Sequence, residues 1–210
     1  MSKELIKRLI TSVFIIIITF CFVYLGGIFF NLFLLSIFII SLIEWKNLTN
    51  NLLILMLGLI FLLFSIISAY FLRNDNLNFF IFTLLISVSS DLGGYIFGKL
   101  FRGPKLTHIS PNKTYSGMIG SYLMSIFLGL IFTFYLQQPF ILEFYSLSLI
   151  IIILIISTVN QLGDLLISYF KRKKKIKDTG KLLPGHGGLL DRIDGIIFSI
   201  PISFSIQLIL

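Results

Sequence analysis

The sequence predicts an all-α, polytopic integral membrane protein of about seven transmembrane helices with two polar cytoplasmic loops. Three observations predict it. Of the 210 residues, 57% are hydrophobic and only 12% are charged, about half the roughly 25% of an ordinary globular chain. Mean hydropathy is +1.01. Apolar runs recur at about the 20 residues that cross a bilayer, and the charges fall between the runs. A soluble domain is excluded, and residues 1–210 read as one membrane-embedded domain. The net charge of +8 does not point to nucleic acid. The cations sit between apolar runs, where they set orientation and meet anionic lipid. Cys21 is the single cysteine, so an intramolecular disulfide is impossible. The basic opening MSKELIKRLI precedes a long apolar run with no small-residue cleavage pattern, and reads as a retained first helix.

The elements follow in order. Residues 9–43 carry no charge, too long for one span and slightly short for two. Gly26-Gly27 offers a turn near the middle, giving helices at 9–25 and 28–43. Further spans are expected at 52–72, 78–98, 117–136, 144–163 and 195–210, the last kinked by Pro201. With the amino terminus in the cytoplasm, the inside segments hold 16 of the 17 Lys and Arg residues, leaving Arg73 outside. Reading 9–43 as one span would put the basic segments around 102 and 175 on the face opposite the amino terminus, against the positive-inside tendency.

Two polar stretches interrupt this pattern. Residues 168–195 hold eight of the 17 cations, namely Lys171, Arg172, Lys173, Lys174, Lys175, Lys177, Lys181 and Arg192. They also hold Asp178, Asp191 and Asp194, with His186 among glycines. Carboxylates suit a hard divalent cation such as Mg2+, which shares its shell with phosphates. Lys and Arg suit phosphate oxygens. Gly185, Gly187 and Gly188 lack a Cβ, so backbone amides there could approach an anion. The combination describes a nucleotide or pyrophosphate site. The second stretch is 99–116, containing Ser110, Lys113 and Thr114. The run Lys171–Lys175 reads mainly as a lipid-surface anchor worth about 1 kcal/mol per charge. Lys177 and Arg192 are better phosphate contacts.

Two helices carry polar stripes. Ser87, Ser90, Asp91, Gly94 and Gly98 fall at steps of three and four, as do Ser157, Gln161, Asp164 and Ser168, with Asn160 beside them. Small residues in such stripes also serve close helix packing. The carboxylates Asp91 and Asp164 are functional candidates, because a charge at bilayer depth costs roughly 2.5–3.5 kcal/mol. Both are expected at the cytoplasmic ends of their helices. Asp191 and Asp194, at the start of the last helix, could cap it; both being caps is not expected. Asp164 and Asp191 are expected as metal ligands, with Asp194 close behind.

Ser168, Lys171-Arg172, Lys177-Asp178, Pro184-Gly185-His186-Gly187-Gly188 and Asp191-Arg192-Ile193-Asp194 resemble the signature of the phosphatidate cytidylyltransferase family, also called CDP-diacylglycerol synthase. Ser110-Pro111-Asn112-Lys113-Thr114-Tyr115 with Gly117 resembles the family's Ser-Pro-x-Lys-Thr element. Asp91, Tyr95 and Gly98 resemble its Asp-Thr-x-Ala-Tyr-x-x-Gly element. The resemblance covers about 90–195; upstream only Glu44-Trp45 carries it. Leu92, Gly94, Ser116 and Gly195 depart from the pattern, where Thr, Ala, Glu and Ser are usual.

The resemblance implies transfer of CMP from CTP to phosphatidate, giving CDP-diacylglycerol and pyrophosphate. It makes 76–210 the catalytic part and 1–75 a short amino-terminal helical part. Asp164, Lys177, Asp178, His186, Asp191, Arg192 and Asp194 would be catalytic. Asp91, Ser110, Lys113, Thr114, Ser168, Lys171, Arg172, Gly187 and Gly188 would bind substrate. Mg2+ is implied on Asp164, Asp191 and Asp194, with room for a second cation such as K+. CTP, phosphatidate and the bilayer are the implied partners, nucleic acid is not, and a homodimer stays open. The implied setting is a bacterial-type cell membrane with the site on the cytoplasmic face. A CTP-dependent membrane enzyme acting on another lipid, polyprenol kinase-like or another lipid cytidylyltransferase, and a non-catalytic transport or lipid-binding protein remain alternatives.

Overall fold

The computed structural model describes residues 3–136, 146–183 and 187–209. Among them the chain is all-helical: α1 Lys3–Leu25, α2 Gly27–Leu48, α3 Leu52–Asp75, α4 Leu77–Phe101, α5 Tyr115–Leu136, α6 Ser146–Lys173, a short α7 Leu190–Ile193, and α8 Ile196–Ile209. In a bilayer every backbone polar group must be satisfied within the chain, and helices do this. Five of them, α2 to α6, are long and apolar enough to cross a membrane. The apolar parts of α1 (Thr11–Leu25) and α8 are shorter. The chain is therefore a multi-pass membrane protein; among the described residues five helices have full span length, and the two other expected spans fall on the shorter apolar helices of α1 and α8.

Helix ends follow local chemistry. The uncharged amino-terminal run breaks at Gly26, whose φ is 64°. A Cβ there would overlap the Arg73 guanidinium. Arg73 donates from Nε and Nη2 to Val23 O at 3.0 and 2.9 Å, satisfying a carbonyl at the end of α1. Asn51 caps α3, accepting from Leu53 N at 2.9 Å, and Asn76 caps α4, accepting from Phe79 N at 2.9 Å. These connections of one to three residues force α1 to α4 to run antiparallel. The carboxyl ends of α2, α4 and α6, carrying Lys46, Lys99 and Lys171–Lys173, then gather at one polar end. Arg73 lies at the other.

Two boundaries differ from expectation in a way that matters. α4 continues to Phe101 and α6 to Lys173, about ten residues past the predicted end of α6. The cations Lys171, Arg172 and Lys173 extend the last turns instead of opening a loop, because they are good helix formers and favoured at a helix carboxyl end. Asp91 and Asp164 therefore stand about 15 and 14 Å inside those ends, at 1.5 Å per residue, not at the ends themselves.

The apolar core has two parts. One joins Phe30, Leu72, Phe80, Phe82, Ile86 and Ile153. The other, nearer the polar end, joins Trp45, Leu48, Leu62, Ile167, Leu190 and Ile197. The α4–α5 contact is the closest. A Cβ on Gly93 would strike Gly120 O, and one on Gly117 would lie 2.8 Å from Gly94 O. Small residues here let two backbones touch.

Candidate active site

The polar stripes of α4 and α6 face each other. Ser157 Oγ donates to Ser90 Oγ at 3.0 Å, and Asn160 Nδ2 donates to Asp91 Oδ1 at 2.8 Å. Hydroxyls and one carboxamide replace the water these groups would otherwise require. Gly94 and Gly98 turn instead to α5, where Cβ atoms would lie 2.8 Å from Ser121 Oγ and 3.2 Å from Thr114 Oγ1. For them the packing role holds.

Beyond Asn160 the carboxylates gather. Lys113, from the 99–116 stretch, forms a 2.6 Å ion pair with Asp164 Oδ2. Ser168 Oγ, one turn on, donates to Asp164 Oδ1 at 3.2 Å. Asp194 is buried and lies within electrostatic reach of Asp164. Burial first, then the neighbouring Asp164 charge, push the Asp194 carboxyl well above its ordinary range. Lys171 works in the opposite direction. Lys113 and Arg192 also lie within electrostatic reach of Asp91. Asn160 Oδ1 is buried without a hydrogen-bond partner. It sits where a Cβ of Gly195 would be, so the departure from serine at 195 makes room for Asn160.

Asp191 is placed differently. Its Oδ2 accepts from Thr179 N at 2.7 Å, Thr179 Oγ1 at 3.0 Å and Gly188 N at 3.0 Å. Its Oδ1 pairs with Lys171 Nζ at 2.8 Å. Burial alone would raise its pKa, but the Lys171 hydrogen bond and the Thr179 and Gly188 N–H groups outweigh it and hold the carboxyl below its usual value. Among the described residues Asp164 and Asp191 do not share a partner: Asp164 pairs with Lys113 and Ser168, while Asp191 joins Thr179 and Gly188 to Lys171 of α6. Nor does it cap α8, since it lies inside α7.

Gly187 and Gly188 belong to the same turn. The amides of Gly187 and Gly188 donate to Leu183 O at 3.1 Å and to Asp191, so they are spent within the loop. Gly187 takes a φ of 88°. Gly188 has no room for a Cβ, which would overlap Thr179 Oγ1 and lie 2.5 Å from Glu44 Oε2. Glu44 reaches in from α2. It accepts from Leu189 N at 2.9 Å, Leu190 N at 2.7 Å and Thr179 Oγ1 at 2.8 Å. A lone carboxylate ending an uncharged run was the available signal in the sequence.

Of the remaining expected residues, Arg172, Lys177, Asp178 and Arg192 are exposed. Ser110 closes a turn, its carbonyl accepting from Lys113 N at 3.1 Å. Thr114 caps α5, accepting from Gly117 N at 3.1 Å. His186, with Pro184 and Gly185, lies outside the described residues. An open groove beside the end of α4 is lined by Tyr95, Ile96, Lys99, Leu100 and Arg102, not by the aspartates.

Among the described residues no three His, Cys, Asp or Glu stand at metal-holding spacing. The donor set still suits a hard divalent cation bound partly through substrate. Two carboxylates held close repel unless a cation lies between them, and Asn160 offers an unused oxygen beside Gly195. Mg2+ commonly takes one or two carboxylates and completes its shell with phosphates and water.

A sequence model described as the Cytidylyltransferase family matches residues 51–210. The chain belongs to the cytidylyltransferase family. The match contains α3 to α8, and with them Asp91, Lys113, Asp164, Asp191 and Asp194, but not Glu44. Among curated family members, a protein named phosphatidate cytidylyltransferase from Rickettsia bellii is 41% identical over 173 residues, covering 78% of this chain and 74% of that protein. One of the same name from Rickettsia prowazekii is 38% identical over 175 residues, covering 80% and 76%. One from Staphylococcus haemolyticus is 42% identical over 134 residues, covering 63% of this chain and 50% of its own length. The chain thus spans about half the length of the staphylococcal relatives it matches.

Proposed function

We propose that the chain is a phosphatidate cytidylyltransferase, transferring CMP from CTP to phosphatidate at a site on the cytoplasmic face. The observation that carries this reading is the meeting of Lys113, Asp164 and Asp194, from three separated segments, inside a family whose curated relatives bear that name.

A phosphate oxygen of phosphatidate attacks the α-phosphorus of CTP. The new P–O bond forms as the bond to the bridging oxygen of the β-phosphate breaks, and pyrophosphate leaves. The attacking phosphate monoester is already an anion near neutral pH, with a second pKa of about 6, so no general base is needed. The difficulty is to bring two polyanions together and stabilise charge on the leaving group. A divalent cation held by Asp164 and Asp194 would neutralise phosphate charge and stabilise the pyrophosphate. Lys113 holds Asp164 in place and is free to exchange that partner for a phosphate oxygen. Asn160 orients Asp91 through its amide. Arg192, exposed next to these groups, can hold a phosphate in two-point contact. Depth suits the acceptor: the carboxylates stand about 15 Å inside the helix ends, so the acyl chains can remain in lipid.

The test is a membrane or nanodisc assay with CTP, phosphatidate and Mg2+, following CDP-diacylglycerol and pyrophosphate. Production of both in equal amounts, lost with chelator and restored by Mg2+, is expected. Transfer to a polyprenol, with none to phosphatidate, would replace the acceptor. Absence of nucleotide turnover with every lipid would reject the enzyme reading.

A further inference from the structure

Glu44 lies one turn from the end of α2, outside the part of the chain that carries the family match, and is buried. Its two oxygens take three donors, all from the far end of the chain: the N–H groups of Leu189 and Leu190 and the hydroxyl of Thr179. That hydroxyl has one hydrogen and two carboxylate acceptors, Glu44 Oε2 at 2.8 Å and Asp191 Oδ2 at 3.0 Å. Asp191 is in turn paired with Lys171 on α6. A chain of contacts Glu44–Thr179–Asp191–Lys171 thus runs from α2 through the loop to α6. Gly180 and Gly188 make it fit, since a Cβ on either would come within 2.5 Å of a Glu44 oxygen. Leu190, fully buried against Trp45 and Ile167, pins the same turn from its apolar side. Asp194 follows Leu190 by one helical turn, so where the turn is seated decides how Asp194 meets Asp164.

We infer that Glu44 is a positioning residue of the candidate active site: it seats Thr179 and the Leu189–Leu190 turn, and through them sets Asp194 beside Asp164. The inference rests on the proposed cytidylyltransferase reading for its catalytic consequence only. Glutamine keeps the shape of Glu44 but turns an NH2 toward a backbone N–H or the Thr179 hydroxyl, so at least one donor loses its acceptor. The residues before 51 would then be part of the site's machinery and not merely an anchor.

The experiment uses the full chain in nanodiscs, with Glu44→Gln, Thr179→Val and Thr179→Ser. Three readouts are taken: steady-state transfer with kcat and KM for CTP separated, trypsin cleavage at Lys177 and Lys181, and the melting temperature of the bundle. Glu44→Gln is expected to lower kcat by about tenfold or more with KM for CTP changed less than about threefold. Loop cleavage should accelerate about tenfold at an unchanged melting temperature, as local opening does. Thr179→Val should follow the same direction, and Thr179→Ser should restore wild-type values. Wild-type kcat and cleavage in Glu44→Gln would overturn the inference, and so would a loss that merely tracks global melting. If Glu44→Gln does not fold, the threonine pair decides: equal behaviour of Thr179→Val and Thr179→Ser overturns it. A wild-type protein without transferase activity would reject the proposed function, while the cleavage arm would still show whether Glu44 holds the loop.

Discussion

Asp194 and Asp164 carry the chemistry at the residue scale, and their proximity has a cost. Asp194 is held above its ordinary pKa by burial and by Asp164. The folded protein therefore binds more protons than the unfolded chain between about pH 4 and the raised value, and stability falls as pH rises through that window. Asp191 has the opposite sign: its pKa is depressed, so its contribution is present above about pH 4 and is lost as pH falls below it. A divalent cation between Asp164 and Asp194 would remove the first penalty. Mg2+ should raise the melting temperature of the purified protein, more at about pH 8 than at about pH 5. A shift independent of pH would remove this pair from the metal site. Asp164→Asn and Asp194→Asn should each reduce turnover by roughly a hundredfold or more while the protein stays folded. Neutralising Lys173, Lys174 and Lys175 together should cost less than about threefold, because those charges meet lipid.

The decisive element pairs are α4–α5 and α4–α6. The first is backbone on backbone, through Gly93, Gly94, Gly117 and Gly120. Gly93→Ala puts a methyl against Gly120 O and Met124, neither of which can retreat cheaply. Overpacking of this kind costs about 1–3 kcal/mol. A lowered melting temperature in detergent is expected, with reduced activity, because α5 also presents Lys113 through its Thr114 cap. Unchanged stability would mean that α4 and α5 do not pack this closely. The second pair is joined by hydroxyls, Ser90 to Ser157, and by Asn160 to Asp91. Asn160→Leu should leave Asp91 without its amide partner and reduce activity more than it reduces stability, checked by assay beside thermal melting.

For the whole molecule, short turns make successive helices antiparallel, and the carboxyl ends of α2, α4 and α6 collect at one end. Orientation in a membrane can be tested in a Cys21→Ser background. His108→Cys and Lys181→Cys should be labelled by an impermeant reagent from the cytoplasmic side, and Asp75→Cys from the opposite side. Labelling of positions 108 and 181 from opposite faces would contradict a single cytoplasmic site.

Hydropathy and charge placement alone determined that this chain is a helical membrane protein, where most helices lie, and that Gly26 breaks the long amino-terminal run. Those properties follow from local free energies: apolar side chains seek lipid, backbone groups must bond within the helix, and cations avoid the bilayer. The motif residues also located the polar segments from which the site is built. Tertiary structure decided which carboxylates do what. Asp191 and Asp194 are three residues apart and of one chemical type, yet one takes four donors and the other is buried within electrostatic reach of Asp164. Nothing in their spacing distinguishes them, because the difference comes from Thr179, Lys171 and Gly188 on one side and α6 on the other. Glu44 makes the same point at longer range, since its donors stand more than 130 residues away in sequence and only folding brings them to it.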